Sequence, residues 1–217
     1  MRRLLLLGLL WAGTVQAEVP PGLLVRFTCD TFRAAGELLL DTSGNKNNGH
    51  VTHVRWTREG RLAGGCEFTG KNSFVDVPLP PGSPSGTVCL WFRTLTDHAE
   101  EQVLLDSGSG YTVCVVGNSA PPAEKGRLRV TLAGRECFSE VTVNDRAWHH
   151  AAIICDVTHL SVAVDGVSQK QGVEWHDKTP ESKRSLRFGK SLSESSSKAQ
   201  ERGFVGIMDE VMIFSKA

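Results

Sequence analysis

The chain has 217 residues, 40% of them hydrophobic and 22% charged, which is enough to bury one sizeable core and excludes intrinsic disorder. Its 24 basic and 24 acidic residues are scattered along the chain and balance to a formal charge of zero, so nucleic acid is not an expected partner. Glycine, at 22 residues, exceeds its usual share of about 7% of a chain. Frequent glycine favours many turns between short strands.

The first 17 residues have the pattern of a signal peptide. Two arginines follow the initial methionine, an apolar stretch continues to Trp11, and Ala17 is the small residue of a cleavage pattern. We expect cleavage before Glu18, so that residues 18–217 form a single secreted domain, extracellular or, in a bacterium, periplasmic. No other run approaches the roughly 18 consecutive apolar residues that a membrane span requires.

The expected export to an oxidising compartment determines how the six cysteines are interpreted. The six are Cys29, Cys66, Cys89, Cys114, Cys137 and Cys155. None belongs to a C-x-x-C pair, so neither a zinc ribbon nor a thioredoxin-type redox site is expected. An even number of cysteines in an oxidising compartment predicts up to three disulfides.

Short runs rich in strand-forming residues, separated by turn residues, occupy most of the chain. Strands are predicted at residues 23–29, 65–68, 74–77, 87–94, 103–106, 111–116, 128–132, 138–143, 148–155, 160–165, 186–188 and 204–214. Many of them alternate apolar and polar residues, as half-buried strands do. The sequence therefore predicts an all-β fold, a sandwich of two antiparallel sheets.

Two tryptophans and two histidines lie within these strands. Trp91 and Trp148 are expected to fill the gap between the two sheets, because a large aromatic side chain buries about 150 to 250 Å². His149 and His150 are adjacent, so on a strand they point to opposite faces and cannot chelate one ion together. Structural roles are therefore expected for both histidines.

A series of short segments resembles, in chain order, the signatures of LamG-like domains. They are Leu23–Phe27 followed by Asp41–Asn45, then Gly65–Gly70, Thr87–Phe92, Arg146–Ala152, Val164–Gly166 and Gly206–Val211. The resemblance covers residues 22 to 214 and implies a concanavalin A-like jelly roll, in which two large curved antiparallel sheets pack face to face. The Asp165-Gly166 pair also predicts a hairpin turn, since tight hairpins need positive φ angles.

The resemblance implies recognition: a secreted non-catalytic module that binds a glycan or an extracellular protein ligand through loops or across one face of a sheet. The candidate loops are residues 71–73, 97–101, 118–126, 169–182 and 190–202. Trp175 and His176 are the candidate glycan-binding residues, because an indole beside a polar group can stack on a sugar. A buried anchoring role for Trp175 is the alternative. A structural role in assembly, with the domain forming oligomers, also stays open.

A glycan hydrolase or lyase on the same fold is the enzymatic alternative. Hydrolysis needs two carboxylates about 5 to 10 Å apart, which a strand supplies by placing acids at alternate positions. No Glu-x-Asp-x-Glu occurs in the chain, and the adjacent Asp209 and Glu210 are expected to point in opposite directions. Nucleophile-elbow, phosphate-loop and His-Glu-x-x-His motifs are also absent from the sequence. We therefore assign no catalytic residue.

An oxygen-rich loop suggests a calcium site. Asp41, Asn45, Asn47 and Asn48 offer four side-chain oxygens close together, and calcium prefers six to eight oxygen ligands. The resemblance adds Asp209, on the last strand, as a further ligand. The alternative is a turn rich in Asp and Asn that serves only local geometry, because these residues satisfy their own backbone.

The disulfide pairing is predicted in three parts. Cys89 and Cys155 resemble the two cysteines that pentraxins join between neighbouring strands. Cys29 ends the first strand and is expected to face Cys66. Cys114 and Cys137 pair only by elimination, across strands that are not neighbours, and two buried free thiols are the alternative for them.

Overall fold

The computed structural model describes residues 19–30, 38–70, 72–80, 86–108, 111–156, 158–169, 172–174, 184–192 and 202–217; the predicted signal peptide lies outside them. Within these ranges the chain forms seventeen strands and no helix. The strands are β1 (Leu23–Phe27), β2 (Leu38–Leu39), β3 (Gly49–Thr52), β4 (Arg55–Thr57), β5 (Gly65–Thr69), β6 (Phe74–Leu79), β7 (Gly86–Thr94), β8 (Gln102–Asp106), β9 (Thr112–Val115), β10 (Arg127–Leu132), β11 (Arg135–Thr142), β12 (His149–Cys155), β13 (His159–Val164), β14 (Val167–Ser168), β15 (Val173–Glu174), β16 (Arg184–Phe188) and β17 (Val205–Phe214).

In the described part of the chain the strands form two antiparallel sheets, which confirms the predicted two-sheet sandwich. The nine-stranded sheet has the order β14-β13-β12-β7-β17-β5-β4, with β1 also paired to β17 and β15 to β13. The eight-stranded sheet has the order β11-β10-β9-β8-β16-β6-β3-β2. The first and last strands are thus neighbours in the nine-stranded sheet, where Arg26 pairs with Met212.

The core lies between the sheets and is built by alternation along each strand. In β7, Leu90 and Phe92 are almost fully buried. Trp91 and Arg93, which alternate with them along the strand, are only half-buried. The largest fully buried side chains are Phe27, Phe68, Phe92, Phe204, Leu90, Leu104, Leu105, Leu128, Ile153, Leu160, Ile207 and Met208. Side chains that alternate with these core residues therefore lie on the two outer faces of the sandwich.

The twelve predicted strands are all present, with ends that differ by a few residues. Five strands of two to four residues, β2, β3, β4, β14 and β15, were not predicted. In β3 the strand begins at Gly49, where a Cβ would lie 2.6 Å from the Cγ1 of Val75. This close packing requires glycine, and a glycine weakens the alternation of apolar and polar residues from which a strand is predicted, so β3 was missed.

Two local predictions have opposite outcomes. The Asp165-Gly166 hairpin turn is confirmed: both residues have positive φ angles, 53° and 80°, between the paired residues Val164 and Val167. The placement of Trp91 and Trp148 between the sheets is wrong. Trp91 pairs across strands with His150, another half-buried residue of the outer face, because its neighbours in β7 occupy the core side.

Candidate functional site

Trp91 is the centre of an aromatic and cationic cluster on the outer face of the nine-stranded sheet. Its ring lies 5.1 Å from that of His150 on β12, measured between centroids. The guanidinium carbon of Arg61 lies 4.5 Å above the Trp91 ring centroid, within the range of a cation–π contact. The indole is therefore covered by an exposed arginine and bordered by a half-buried histidine.

A second arginine–tryptophan pair lies beside the first. The guanidinium carbon of Arg93 is 5.5 Å from the ring centroid of Trp148, and Arg93 Nη2 is 2.6 Å from Oε2 of Glu59. We call the five residues Arg61, Trp91, Arg93, Trp148 and His150 the Trp91 platform. It joins two half-buried indoles to two guanidinium groups, a combination suited to packing against ring faces and donating hydrogen bonds at their edges.

A loop of residues 58–64, which we call the covering loop, positions Arg61 and Glu59. The N–H of Leu62 in this loop donates a 2.9 Å hydrogen bond to Oδ2 of Asp209. Asp209 belongs to β17 and pairs there with Trp91 of β7. The loop closes on itself so tightly that a Cβ on Gly60 would lie 1.9 Å from the carbonyl oxygen of Gly64. Only glycine allows this approach, so the spacing of these glycines fixes where Arg61 crosses the sheet.

Asp209 is completely buried under the covering loop. Burial raises its pKa to about 6, although hydrogen bonds from the N–H groups of Leu62 and Glu210 favour the charged form. The strand bulges here, and Glu210 has a positive φ of 45° and lies 3.5 Å from Nη2 of Arg26. Both oxygens of Asp209 accept backbone donors, so this carboxyl group anchors the loop.

His149 and His150 point to opposite faces, as predicted. Burial also lowers the pKa of the outward His150. His149 is buried and contacts two carboxylates: its Nδ1 is 2.7 Å from Oδ2 of Asp165, and its Nε2 is 2.9 Å from Oδ1 of Asp145. Burial disfavours the charged imidazole, but these hydrogen bonds outweigh it and raise the pKa of His149. Asp165 also accepts the backbone N–H of His150, so the hairpin turn fixes β12.

The predicted calcium loop is held together by its own hydrogen bonds. The Asp41 carboxylate accepts bonds from the N–H groups of Arg26, Ser43 and Asn47 and from the Ser43 hydroxyl. Asn48 Oδ1 accepts the N–H of Asp41. Burial disfavours the charged form of Asp41, but the bonds from these donors prevail and lower its pKa.

The remaining proposed ligands take other positions. The side-chain amides of Asn45 and Asn47 donate to carbonyl oxygens of Leu23 and Leu24 in β1. Asp209 contacts the covering loop and shares no hydrogen-bond partner with Asp41. Among the described residues, no group of three or more His, Cys, Asp or Glu side chains could hold a metal ion. Calcium binding stays a prediction, and the bonds favour the alternative of a local turn.

We expect Asp41→Ala to lower the free energy of unfolding by about 2 kcal/mol, because it removes the acceptor of four hydrogen bonds that hold the loop on β1. The loss should be the same in excess calcium and in chelator. Chemical denaturation of both proteins in both buffers measures it. A stability increase of the parent protein with calcium, absent in Asp41→Ala, would instead establish an ion site.

Trp175 and His176, the predicted glycan-binding pair, lie outside the described residues. The chain approaches them through Glu174, which pairs with His159 at the start of β13. The Trp91 platform lies near the other end of that strand, where Val164 pairs with Ala151. These two sequence-predicted residues therefore remain untested candidates.

The cysteine pairings have different outcomes. Cys29 and Cys66 are brought together, with 2.9 Å between their sulfur atoms. The pairing of Cys89 with Cys155 is wrong. Their strands are neighbours, but Cys89 pairs with Ala152 on the outer face, while Cys155 is buried on the core side opposite Gly86. Three positions along a strand are about 10 Å, beyond the roughly 7 Å Cα separation that a disulfide spans.

Cys114 and Cys137 cannot be joined either. Strand β10 separates their strands, and in its register Cys114 pairs with Arg129 on the outer face while Cys137 pairs with the core residue Val130. Burial raises the pKa of both thiols, that of Cys137 to about 12. The alternative of two buried free thiols is therefore the one that the strand order supports.

The outer face of the eight-stranded sheet carries a separate charged cluster. Glu101 forms ion pairs with Arg129 and Arg202, and Arg129 is also 3.7 Å from Glu136. Cys114 is buried next to Glu101. Because these charges pair with one another, this cluster offers a ligand fewer free donors than the Trp91 platform does.

Comparison with known proteins identifies the fold family. The two packed antiparallel sheets define a lectin-type sandwich, and a family model described as the concanavalin A-like lectin/glucanases superfamily matches residues 64–217. The chain therefore belongs to this superfamily, which confirms the resemblance seen in the sequence. No curated protein sequence matches the chain significantly. The described residues contain no helix long and apolar enough to cross a membrane.

Solved structures share the fold at low sequence identity. Domain 4 of AbnA, an extracellular arabinanase from Geobacillus stearothermophilus solved with arabinotriose, is 17% identical with a TM-score of 0.64, over 90% of this chain and 93% of that one. Botulinum neurotoxin type C, whose cell entry depends on two ganglioside molecules, is 14% identical over 91% of this chain and 49% of its own (TM-score 0.62). Trypanosoma rangeli sialidase with sialic acid is 14% identical over 92% and 32% (TM-score 0.64). The chain thus spans about half of the toxin chain and a third of the sialidase chain.

Proposed function

We propose that the protein is a secreted, non-catalytic recognition module that binds a glycan on the Trp91 platform. The observation that carries the proposal is the exposed Arg61, whose guanidinium carbon lies 4.5 Å from the ring centroid of the half-buried Trp91 and which forms no ion pair with any described residue. The cation–π contact with Trp91 restricts the motion of the guanidinium group, and an exposed arginine without an ion pair keeps its N–H donors for a ligand. Paired hydroxyl or carboxylate oxygens of a sugar match such a fork of donors.

The second pair extends the surface along the sheet. Arg93 and Trp148 lie beside the first pair, and Glu59 adds a carboxylate that can accept from a hydroxyl group. An oligosaccharide needs apolar contact for its ring faces and hydrogen bonds for its edges. Proteins of similar fold that were solved with arabinotriose or sialic acid, and a toxin whose cell entry depends on gangliosides, support a carbohydrate as the ligand class.

The non-catalytic part of the proposal rests on the carboxyl groups near the platform. Asp209, whose pKa of about 6 would suit a general acid, is completely buried and has both oxygens occupied by backbone donors. Glu59 is largely exposed and paired with Arg93. Measuring the release of reducing ends from any bound glycan tests the alternative of a hydrolase or lyase.

The test is binding of the exported chain to an array of glycans, followed by titration of each bound glycan. We expect Trp91→Ala and Arg61→Gln each to weaken binding about 10- to 100-fold. The first removes the ring that holds the Arg61 guanidinium and the second removes its charged hydrogen bonds, which contribute about 1.5 to 3 kcal/mol. Arg61→Lys should recover only part of the loss, because lysine keeps the charge without the planar fork.

Two substitutions serve as matched controls. Leu40, which follows β2 in the eight-stranded sheet, is 41% exposed, and Arg135 is exposed next to the turn between β10 and β11. Leu40→Ala and Arg135→Gln should leave the affinity unchanged. If Trp91→Ala binds as well as the parent while Trp175→Ala does not, the ligand site is at Trp175 and His176.

Export and assembly need separate measurements. Recovery of the protein outside the cytoplasm with Glu18 as its first residue would support the proposed cleavage and secreted location. If the array detects no bound glycan, a protein ligand or oligomer formation becomes the leading alternative. Sizing chromatography at several concentrations distinguishes a monomeric recognition module from an assembly.

A further inference from the structure

Cys29 and Cys66 are held as a close pair in the core beside the covering loop. Cys29 follows β1 and Cys66 lies in β5, and each residue is 2% exposed. Their sulfur atoms are 2.9 Å apart. A disulfide bond is about 2.05 Å long, so the sulfurs need to approach by less than about 1 Å to form one. Two cysteines that are 37 residues apart in the chain thus have their sulfur atoms in contact.

The cavity beside the two sulfurs is lined by apolar side chains. The two cysteines border this small cavity of about 10 Å³, which is also lined by Phe27, Phe68, Met208 and Val211. The described residues provide no third metal-binding side chain next to them. Metal binding and nucleophilic chemistry both need further polar groups, so the neighbourhood favours a structural bond.

The pair is connected to the covering loop at the backbone. Gly64, two residues before Cys66, donates its N–H to Oδ1 of Asp30 at 3.3 Å. A Cβ on Gly64 would lie 2.8 Å from the carbonyl oxygen of Cys29. The last residue of the covering loop is therefore packed directly on the segment that follows β1, and a bond between the two cysteines would join these two segments covalently.

We propose that Cys29 and Cys66 form a disulfide that fixes the end of the covering loop, and through it the position of Arg61 over Trp91. The bond forms by exchange with a small disulfide such as oxidised glutathione. One cysteine, as the thiolate, attacks a glutathione sulfur and releases the first glutathione thiol. The second cysteine then attacks the mixed disulfide, releases the second glutathione thiol and leaves the Cys29–Cys66 bond. The two cysteines lose two electrons and two protons, and the glutathione disulfide gains them.

Peptide mapping of the exported protein without reduction is the first test. We expect one crosslinked peptide pair containing Cys29 and Cys66, while Cys89 and Cys155 are recovered unlinked to each other. Recovery of Cys29 and Cys66 as separately alkylated thiols, or either one bonded to a different cysteine, would overturn the proposal. This measurement uses the parent protein, so it does not depend on whether a variant folds.

The second test follows the covering loop. Reduction of the parent protein, or the double variant Cys29→Ser/Cys66→Ser, should lower the melting temperature by about 8 to 15 °C, because the bond closes a loop of 37 residues. Amide hydrogen exchange should increase at residues 58–64. The matched control is Cys89→Ser, on the outer face away from the pair, which should change neither quantity. Unchanged exchange in the loop after reduction would contradict the link to Arg61.

The consequence for ligand binding rests on the proposed function. The disulfide proposal and the glycan-binding proposal can nevertheless fail separately. If glycan binding is present, it should weaken about tenfold on reduction, because Arg61 loses its fixed position. A mapped Cys29–Cys66 bond with a protected loop but no glycan binding would refute the proposed function and leave the disulfide proposal intact. Glycan binding that is insensitive to reduction would overturn the control of Arg61 by this bond.

Discussion

Replacing His149 with alanine is expected to lower the free energy of unfolding by about 3 kcal/mol at pH 6. The His149 ring is buried, and each nitrogen bonds a carboxylate, one from Asp145 and one from Asp165. A hydrogen bond to a charged group contributes about 1.5 to 3 kcal/mol. The two bonds together are discounted to about 3 kcal/mol because the side chains of Asp145 and Asp165 are 55% and 38% exposed and can return to water.

The contribution of His149 should depend on pH in a definite direction. Its pKa in the folded protein is raised, so the folded state binds the proton more tightly than the unfolded state. The stabilisation is therefore complete below about pH 6.5, where a free histidine titrates, and is lost as pH rises through the higher folded value. We expect the difference between the parent protein and His149→Gln to be larger at pH 6 than at pH 9.

Denaturant unfolding at several pH values measures this difference. The matched control is His159→Ala, because the His159 side chain is 51% exposed, and it should change stability by no more than about 0.5 kcal/mol. A difference between the parent and His149→Gln that stays constant from pH 6 to 9 would show that His149 is not charged between its two carboxylates.

The strands could be predicted from the sequence because their information is local. Alternation along β7 and the Asp165-Gly166 turn depend only on neighbouring residues. The same alternation implies that Trp91 faces outward when Leu90 and Phe92 face the core, but the large size of the indole led to the opposite expectation. A strict period-two argument would have found this member of the candidate site.

The pairing of Cys89 with Cys155 was predicted wrongly because it depends on the register between distant segments. Cys89 and Cys155 lie on neighbouring strands, yet the loops between β7 and β12 set an offset of three residues that no local pattern reveals. Cys29 and Cys66 meet through separate contacts of β17 with β1 and with β5. Their proximity agrees with the sequence prediction that Cys29 faces Cys66, and it depends on the order of strands in the sheet.

The covering loop is the part of the site that sequence reasoning missed. Residues 58–64 contain arginines, a glutamate and glycines without a recognisable motif. Their position depends on the hydrogen bond from Leu62 to Asp209, which is 147 residues away. The bulge at Asp209 and Glu210 also arises from pairing with β7. Because of this bulge, the two acidic side chains do not simply alternate between the two faces of the sheet.

Removing the carboxyl group of Asp209 is expected to release this loop. Asp209→Ala leaves the buried N–H of Glu210 and the partly buried N–H of Leu62 without their acceptor, and an unsatisfied buried donor costs about 1 to 3 kcal/mol. We expect a loss of about 3 kcal/mol in the free energy of unfolding and faster amide exchange at residues 58–64. Asp97→Ala is the matched control, because the Asp97 side chain is 50% exposed and should contribute less than about 0.5 kcal/mol.

Asp209→Asn separates the role of charge from the role of shape. Burial raises the pKa of Asp209 to about 6 in the folded protein, against about 3.9 for a free aspartate, so protonation favours the folded state. This stabilisation is complete below about pH 3.9 and is lost as pH rises to about 6, a change of about 2 kcal/mol. Asparagine cannot titrate, so the parent protein should lose stability relative to Asp209→Asn between pH 4 and pH 7. Parallel stability profiles of the two proteins over this range would show that Asp209 stays ionised beneath the covering loop.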